Sequence, residues 1–473
     1  MMKRKTTTIL IVLMLILLVT GCTKTNTGNF KVKKVDLSTY VETLSLDFSY
    51  GCSTSRFLDY MTNWAEQAKT DVKTDEHGNM IFSIAATEGY EKIKQTVICC
   101  NYNPSFFSSD ITTIAMCQYL IENSENHGAY KVIFTNNALN EHQGALNLSD
   151  VYFDKGANVI SLDYSYKTHA SLNTGNQFSS ALKVDIAKTD DNIFNSAYKI
   201  RITDIKEAVL DEQVKQQPNP IKILGELMAY FKMKSMAYQL ADLSYETAGG
   251  DFPLGAEFTI LINDYNKTNF TDYMDGKIES FNKKYEEDFE GISYTYEEVE
   301  LPSLMYSRES TENIVSLLYT ITDGNSLDSN DDVYAISTLN GFEVKDDSFT
   351  LNLISNTRSK ESMSNLTEEI KTVTSFVNAK LKTKESLDHF RGIKDSKLLN
   401  RLNHSDIKYS KDELETYDSV RFTSCTYLKS KNTNLDIVHI FVNPEDNEDI
   451  TGCIATYLSD SNLKFTEDGK IIE

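Results

Sequence analysis

The chain has seven cysteines but no Cys-x-x-Cys pair and no repeating cysteine spacing, so the signature of a structural zinc or dithiol motif is missing. Gly-x-Ser-x-Gly, a P-loop and Gly-x-Gly-x-x-Gly are also absent. Histidine is scarce, with seven in 473 residues and none beyond His439. Basic residues are outnumbered, 47 against 69 acidic, and the net charge of −22 opposes binding to nucleic acid or to anionic lipid headgroups. No internal repeat occurs. Beyond the first twenty or so residues no apolar run is long enough to span a bilayer.

What is present at the start is directional. Lys3, Arg4 and Lys5 precede an apolar run from Ile9 to Val19, which leads into Leu18-Val19-Thr20-Gly21-Cys22. A basic start, an apolar run of h-region length and small residues before a cysteine form a lipoprotein signal. Residues 1–21 are therefore expected to be cleaved and Cys22 to carry the lipid. The mature chain would then sit on the outer side of a cell membrane. A diacylated or triacylated N-terminus anchors stably where one acyl chain is marginal. Polar residues 22–34 read as a tether.

The remaining composition, 40% hydrophobic and 25% charged, is that of a globular protein, and its length allows two or three domains. Phe57, Tyr60, Met61, Trp64 and Ala68 recur at helical spacing. Asp75-Glu76-His77-Gly78-Asn79 predicts a hairpin turn. Short apolar strands are expected at 96–100, 131–135 and 158–162, with a helix over 111–121. This alternation predicts an α/β layer with a mixed, largely parallel sheet. Further on, Asn219-Pro220 predicts a capped helix start, and 342–344 with 349–353 a hairpin, giving an α+β segment. Cys99 and Cys100 sit in an apolar run, as buried strand cysteines do. Disulfide pairing among Cys52, Cys99, Cys100, Cys117, Cys425 and Cys453 stays open.

The order of these motifs resembles the zinc exopeptidases related to aminoacylase and carboxypeptidase G, in particular the Xaa-His (aminoacyl-histidine) dipeptidase, carnosinase-like branch. Asp75-x-x-Gly78-Asn79 is similar to that family's Asp-x-x-Gly-Asn hairpin. PNPIKILGELMAYF at 218–231, DFPLGAEFTILI at 251–262, STLNGFEV at 337–344 and SNTRSK at 355–360 follow in the family's order. The resemblance implies a catalytic domain made of residues 35–185 and 395–473, with an α+β lid, 186–394, inserted between its halves.

It also implies two zinc ions held by imidazoles and carboxylates, with a glutamate as general base. Carried over residue by residue, that site is broken. The family's His-x-Asp falls on Asn101-Tyr102-Asn103, and an amide is a poor zinc ligand. The bridging aspartate matches Asp110 and a further ligand matches Asp163. The general base and another ligand fall on Ala138 and Leu139. NPEDNEDITG at 443–452 replaces the stretch with the last histidine, and the lid's Gly-Gly-His-Ser-Gly is absent. The expectation is an inactive pseudo-peptidase without a cofactor, holding a peptide or small molecule. The alternative is an active metallo-dipeptidase whose zinc site is rebuilt with Glu141, His142 or the thiolates of Cys99 and Cys100. A transporter-type binding lipoprotein fits less well, since two alternating α/β lobes are not evident. Arg358 matches an arginine that grips the substrate carboxylate in the family; a surface arginine at a helix start is the other reading.

Overall fold

The computed structural model describes residues 34–48, 51–104, 107–138, 142–154, 156–206, 210–211, 217–247, 250–383, 387–409, 413–459, 464–465 and 471–472. The signal, Cys22 and the tether lie outside these residues, as do Leu139 and Glu141.

The chain begins with α1 (Lys34–Phe48) and α2 (Thr54–Gln67), the latter capped by Ser53, whose hydroxyl accepts from Arg56 N. The strands β1 (Val72–Thr74), β2 (Met80–Ile84) and β3 (Thr96–Tyr102) follow, then α3 (Phe107–Asn123), β4 (Tyr130–Asn136) and the short α4 (Gln143–Asn147). The first half ends with β5 (Asn158–Tyr164) and β6 (His169–Ser171). The lid comprises β7 (Asn176–Asp185), β8 (Ser196–Thr203), α5 (Pro220–Met233), β9 (Tyr238–Glu246), β10 (Gly255–Ile262), α6 (Lys267–Tyr285) and β11 (Ser293–Val299). It continues through α7 (Arg308–Thr320), β12 (Gly324–Leu327), β13 (Val333–Lys345), β14 (Ser348–Thr357), α8 (Lys360–Phe376) and β15 (Lys380–Thr383). The chain then returns through α9 (Lys397–Tyr409), α10 (Cys425–Lys431), β16 (Asp436–Val442) and α11 (Asn447–Ser459).

The first and last segments share one seven-stranded sheet in the order β1-β2-β4-β3-β5-β16-β6. Its centre is parallel: β3 pairs with β4 and β5, and β5 pairs with β16. Every residue of β3 and of β16 is buried, as expected of strands covered on both faces. Alternation sorts the side chains. Ile98, Cys100, Ile160, Leu162, Val438 and Ile440 face α1, α2, α3, α9 and α11. Val97, Cys99, Val159 and Ile437 face the smaller layer that holds α4 and α10.

Among the described residues the lid holds two larger antiparallel sheets, β9-β10-β8-β11 and β12-β13-β14-β7-β15, and a two-stranded pair of Lys188–Thr189 with Met305–Tyr306. Asn219 caps α5 as its sequence predicts, accepting from Ile221 N and Lys222 N, with Pro220 in the first turn. One boundary differs from expectation. β7 pairs with β14 and β15, both lid strands, so the crossing into the lid falls at Gly175 rather than after residue 185. The apolar alternation of residues 176–185 suits either sheet; only the partner strands, far along the chain, decide between them. Among the described residues no helix is long and apolar enough to cross a membrane.

The Asp75–Asn79 motif has a structural role. Asp75 Oδ1 accepts from the backbone of His77 and Asn79, which closes the turn. Asn79 then clamps the end of β4 to α4, donating to Gly144 O at 3.0 Å and accepting from Asn136 N at 3.1 Å. A Cβ on Gly144 would lie 2.3 Å from Asn79 Oδ1, which explains the glycine there.

Candidate functional site

The residues matched to the zinc ligands do converge. Asn101, Thr135, Asp163 and His439 occupy odd positions on four adjacent parallel strands, so all four lie on the face that carries α4 and α10. Asn101 Nδ2 donates to Asp163 Oδ1 at 2.8 Å and to Ser424 Oγ at 3.2 Å, while its carbonyl oxygen accepts from Thr135 Oγ1 at 2.6 Å. His439 Nε2 lies 3.3 Å from Asp163 Oδ2, although off the line of a hydrogen bond. Burial pushes the Asp163 carboxyl up, against the pull of Arg421 and of the Asn101 amide. Burial holds the His439 imidazole well below its usual range, helped by the Arg421 charge, so it is neutral.

Asp110 stands in the first turn of α3, half-buried. Its carboxylate accepts from Asn103 N at 2.6 Å and Ser109 Oγ at 3.0 Å. Burial raises it to about 7 despite the bond from Asn103. Ala138 lies just past β4; its N–H donates to Asn136 Oδ1 at 3.0 Å, and its side chain offers no base. His142 precedes α4 with a left-handed φ of 49° and is buried against Phe422 and Tyr427. Its Nδ1 has no hydrogen-bond partner, and burial lowers its imidazole to about 3.

Asn101, Asp110, Asp163 and His142 line a cavity of about 250 Å³ between the catalytic-type domain and the lid. The lid contributes Gln177, Leu210, Asp251 and Asn356; the opposite wall carries Asn103, Asn137, Tyr164, Tyr166, Arg421 and Phe422. Sequence reasoning missed Arg421 and Asp251. Arg421 is mostly buried. It donates through Nη1 to Tyr164 O, lies 3.8 Å from Asp211 Oδ2 and stacks over the Phe441 ring. Asp251 is half-buried and its carboxylate makes no hydrogen bond among the described residues; burial raises it to about 6 against the pull of the Arg421 charge. Asp251 is one residue of the quoted DFPLGAEFTILI segment, but nothing in that segment shows which side chain meets the other domain.

Arg358 is elsewhere. Its Nη2 donates to Val333 O and its N–H to Tyr334 O, which ties it to β13 of the lid and keeps it out of the cavity lining. The thiols of Cys99 and Cys100 point to opposite faces of the sheet, each in a hydrophobic cluster, and burial pushes both well up. Neither supplies a thiolate to the cavity. His169 is buried at the start of β6 and stacked between Tyr417 and Phe441. Cys425 Sγ lies 3.3 Å from His439 Nδ1, so a thiol, an imidazole and the Asp163 carboxylate stand in line. The thiol and the imidazole are fully buried, and burial raises the thiol to about 12, so it is no nucleophile.

As a donor set for a dinuclear zinc centre these residues fit poorly. Zinc needs deprotonated nitrogen, sulfur or oxygen donors in a tight tetrahedron. Here an amide stands where an imidazole is expected, and its N–H takes up one lone pair of Asp163 Oδ1. Among the described residues no group of three histidine, cysteine, aspartate or glutamate side chains is placed to hold a metal ion.

The raised Asp251 carboxyl has a measurable consequence. A carboxyl whose folded pKa of about 6 exceeds the unfolded value of ~3.9 supports stability below that lower value and loses it as pH rises through about 6. Asp251→Asn cannot ionise. It should gain about 1–3 kcal/mol relative to the parent at pH 8 and nothing at pH 4, read by urea unfolding. An equal change at both values would show that Asp251 is not held against ionisation.

No family model matches the chain, and no curated protein matches its sequence. Solved structures do match. Aminoacylhistidine dipeptidase from Vibrio alginolyticus superposes with a TM-score of 0.56 at 12% identity, over 90% of this chain and 96% of that one. Aminopeptidase PepT from Bacillus cereus gives 0.46 at 10% identity, over 90% and 98%. A tripeptidase from Staphylococcus aureus gives 0.47 at 9%, over 89% and 97%. Identities this low speak for the backbone and not for the chemistry. With the largely parallel sheet, the lid and the converging Asn101, Asp110 and Asp163 positions, the chain carries the fold of the zinc exopeptidases of the aminoacylhistidine dipeptidase type.

Proposed function

We propose that this chain is an exported lipoprotein, held to the membrane through Cys22, whose dipeptidase fold serves as a binding module and does not hydrolyse peptides. The observation that carries the second half is the Asn101–Asp163 hydrogen bond. Where a zinc-binding histidine is expected, an amide closes the carboxylate on the protein itself. The base position is an alanine, and an amide stands where the metal-holding imidazole is expected. What the cavity keeps is shape and polarity, which suit holding a small molecule. The chemical test is a panel of Xaa-His and other dipeptides offered with zinc, manganese or cobalt. No turnover is expected. Turnover abolished by Asp110→Ala or Asp163→Ala would favour the reading as an active zinc dipeptidase with rebuilt ligands.

The anchoring half rests on the basic start, the apolar run and the cysteine that follows it. Cys22→Ala should abolish incorporation of a fatty-acid analogue and release the protein from the membrane fraction. Equal labelling of the variant and its parent would remove lipidation at Cys22 from the account.

A further inference from the structure

The chain passes between the two domains twice, and neither passage is a free hinge. Asn173–Thr174 runs into the lid and Phe390–Arg391 runs back. The two are paired antiparallel, Asn173 with Arg391 and Thr174 with Phe390. Backbone bonds extend that pairing on both sides. Gly392 N donates to Leu172 O at 2.6 Å, and Gln177 and Leu387 exchange two bonds, at 2.8 and 3.2 Å. A hinge turns by changing φ and ψ at a few residues, and backbone tied to its neighbours resists that.

A third segment, 417–426 of the returning half, lies across both passages. Ser419 N donates to Asn173 O at 3.2 Å, and Gly175 N donates to Arg421 O at 2.9 Å. Asn173 Nδ2 donates to Asp418 Oδ1 at 2.8 Å, and Thr426 Oγ1 to Asp388 O at 2.9 Å. The hydroxyls of Thr174 and Thr423, both buried, meet at 2.9 Å. Between these bonds Val420 enters the lid. It is fully buried in a small cluster whose other buried members, Leu210, Phe252 and Ile336, all belong to the lid. The side chain of Arg421 donates to Tyr164 O of the catalytic-type domain and lies 3.8 Å from Asp211 of the lid. One short segment thus grips the lid by backbone bonds, by an apolar knob and by a charge. A rigid swing of the lid would strip Val420 of its cluster and part the Thr174–Thr423 pair, and both changes cost stability.

We propose that residues 417–426 are a latch. They hold the lid against the catalytic-type domain, and the lid swings only when the Val420 knob and the bonds on either side of it let go together. Arg421 and Phe422 of the same segment line the interdomain cavity, so release of the latch opens the cavity wall. The proposal concerns movement and not chemistry, so its failure would leave the binding-module reading untouched, and the reverse.

The experiment is hydrogen–deuterium exchange, read by mass spectrometry, on the full-length protein in mild detergent. In the parent, amides in 173–177, 387–392 and 417–423 are expected to be protected. Val420→Ala removes two methyl groups from the cluster and should speed exchange in all three stretches by about tenfold. β3 and β16, in the core of the sheet, should keep the parent's rates. Thr423→Val has nearly the same shape and removes one hydroxyl of the buried pair; it should act on the same three stretches. Thermal unfolding of both variants confirms that they are folded, and Thr423→Val carries the test if Val420→Ala does not fold. Unprotected amides at 173–177 and 387–392 in the parent would reveal a free hinge and overturn the latch. So would a folded variant that leaves all three stretches unmoved. Equal acceleration of β3 and β16 would also overturn it, because the segment would then be ordinary core and not a releasable fastening.

Discussion

Asn101→Asp should lower stability at pH 8 by about 3–5 kcal/mol, the cost of leaving a buried charge uncompensated. The parent amide donates to Asp163 at 2.8 Å and to Ser424 Oγ at 3.2 Å, and both bonds end when Nδ2 becomes an oxygen. Two carboxylates then meet in a place where Asp163 is already pushed up by burial. One proton shared between them restores an O–H···O bond, so the pair's upper folded pKa rises above the unfolded ~3.9. The sign follows. Stability is kept below that lower value and lost as pH rises through the raised one. The variant should therefore approach the parent at pH 4 and fall away at pH 8. Added zinc is the informative variable. In a site built for metal, a new carboxylate ligand would be rescued by the ion, and the loss at pH 8 would vanish with zinc present. The loss is expected to persist.

Gly175→Ala should cost about 3 kcal/mol or more, at the severe end of overpacking. Gly175 N donates to Arg421 O at 2.9 Å, so the chain crosses into the lid in direct contact with the segment that carries the cavity's guanidinium. A Cβ there would lie 1.9 Å from Val420 O, 2.5 Å from Val420 C and 2.9 Å from Thr357 O. All three are backbone atoms, one pair on the returning segment and one on the lid strand β14, so no side chain can swing aside. The two must separate, and Arg421 with them. Gly276→Ala is the control. It lies in α6 with nothing within 4 Å of the added carbon, and alanine there should stabilise by roughly 0.5–1 kcal/mol. A Gly175→Ala melting curve matching the parent would show that this crossing is looser than described.

These two positions mark where sequence reading reached and where it stopped. Helical spacing located α2, the Asn219-Pro220 cap located the start of α5, and short apolar runs located β3, β4 and β5, because period, capping and polarity are local properties. The motif order led to Asn101, Asp110 and Asp163, which the fold does bring together on adjoining strands and the helix between them. The lid's edge was misplaced because β7 alternates equally well for either sheet and its partners are remote in sequence. Arg358 was chosen from motif order, yet it is spent on Val333 O inside the lid. Arg421 carries no motif that marks it, and Asp251 was quoted without a role. Both acquire meaning only when the two domains close on a shared cavity. His439 is buried in β16, and its approach to Asp163 depends on strand order β5-β16, which no local pattern encodes.

The unpaired groups on the cavity wall give the account its physical unity. Catalytic centres and binding sites keep polar groups that folding alone would discard. In this chain Asn101 and Asp163, two of the positions matched to metal binding, are tied to each other and to Thr135 and Ser424, whereas Asp110 is held by Asn103 N and Ser109 Oγ.

The most direct test of the central claim is the metal content of the purified protein after dialysis against zinc-containing and then metal-free buffer, measured by elemental analysis on the parent and on Asp163→Ala. The account predicts no stoichiometric zinc on either, because an amide at 101 stands where an imidazole ligand is expected and is bonded to Asp163 Oδ1. Zinc retained at one or two ions per chain by the parent and lost by Asp163→Ala would contradict it.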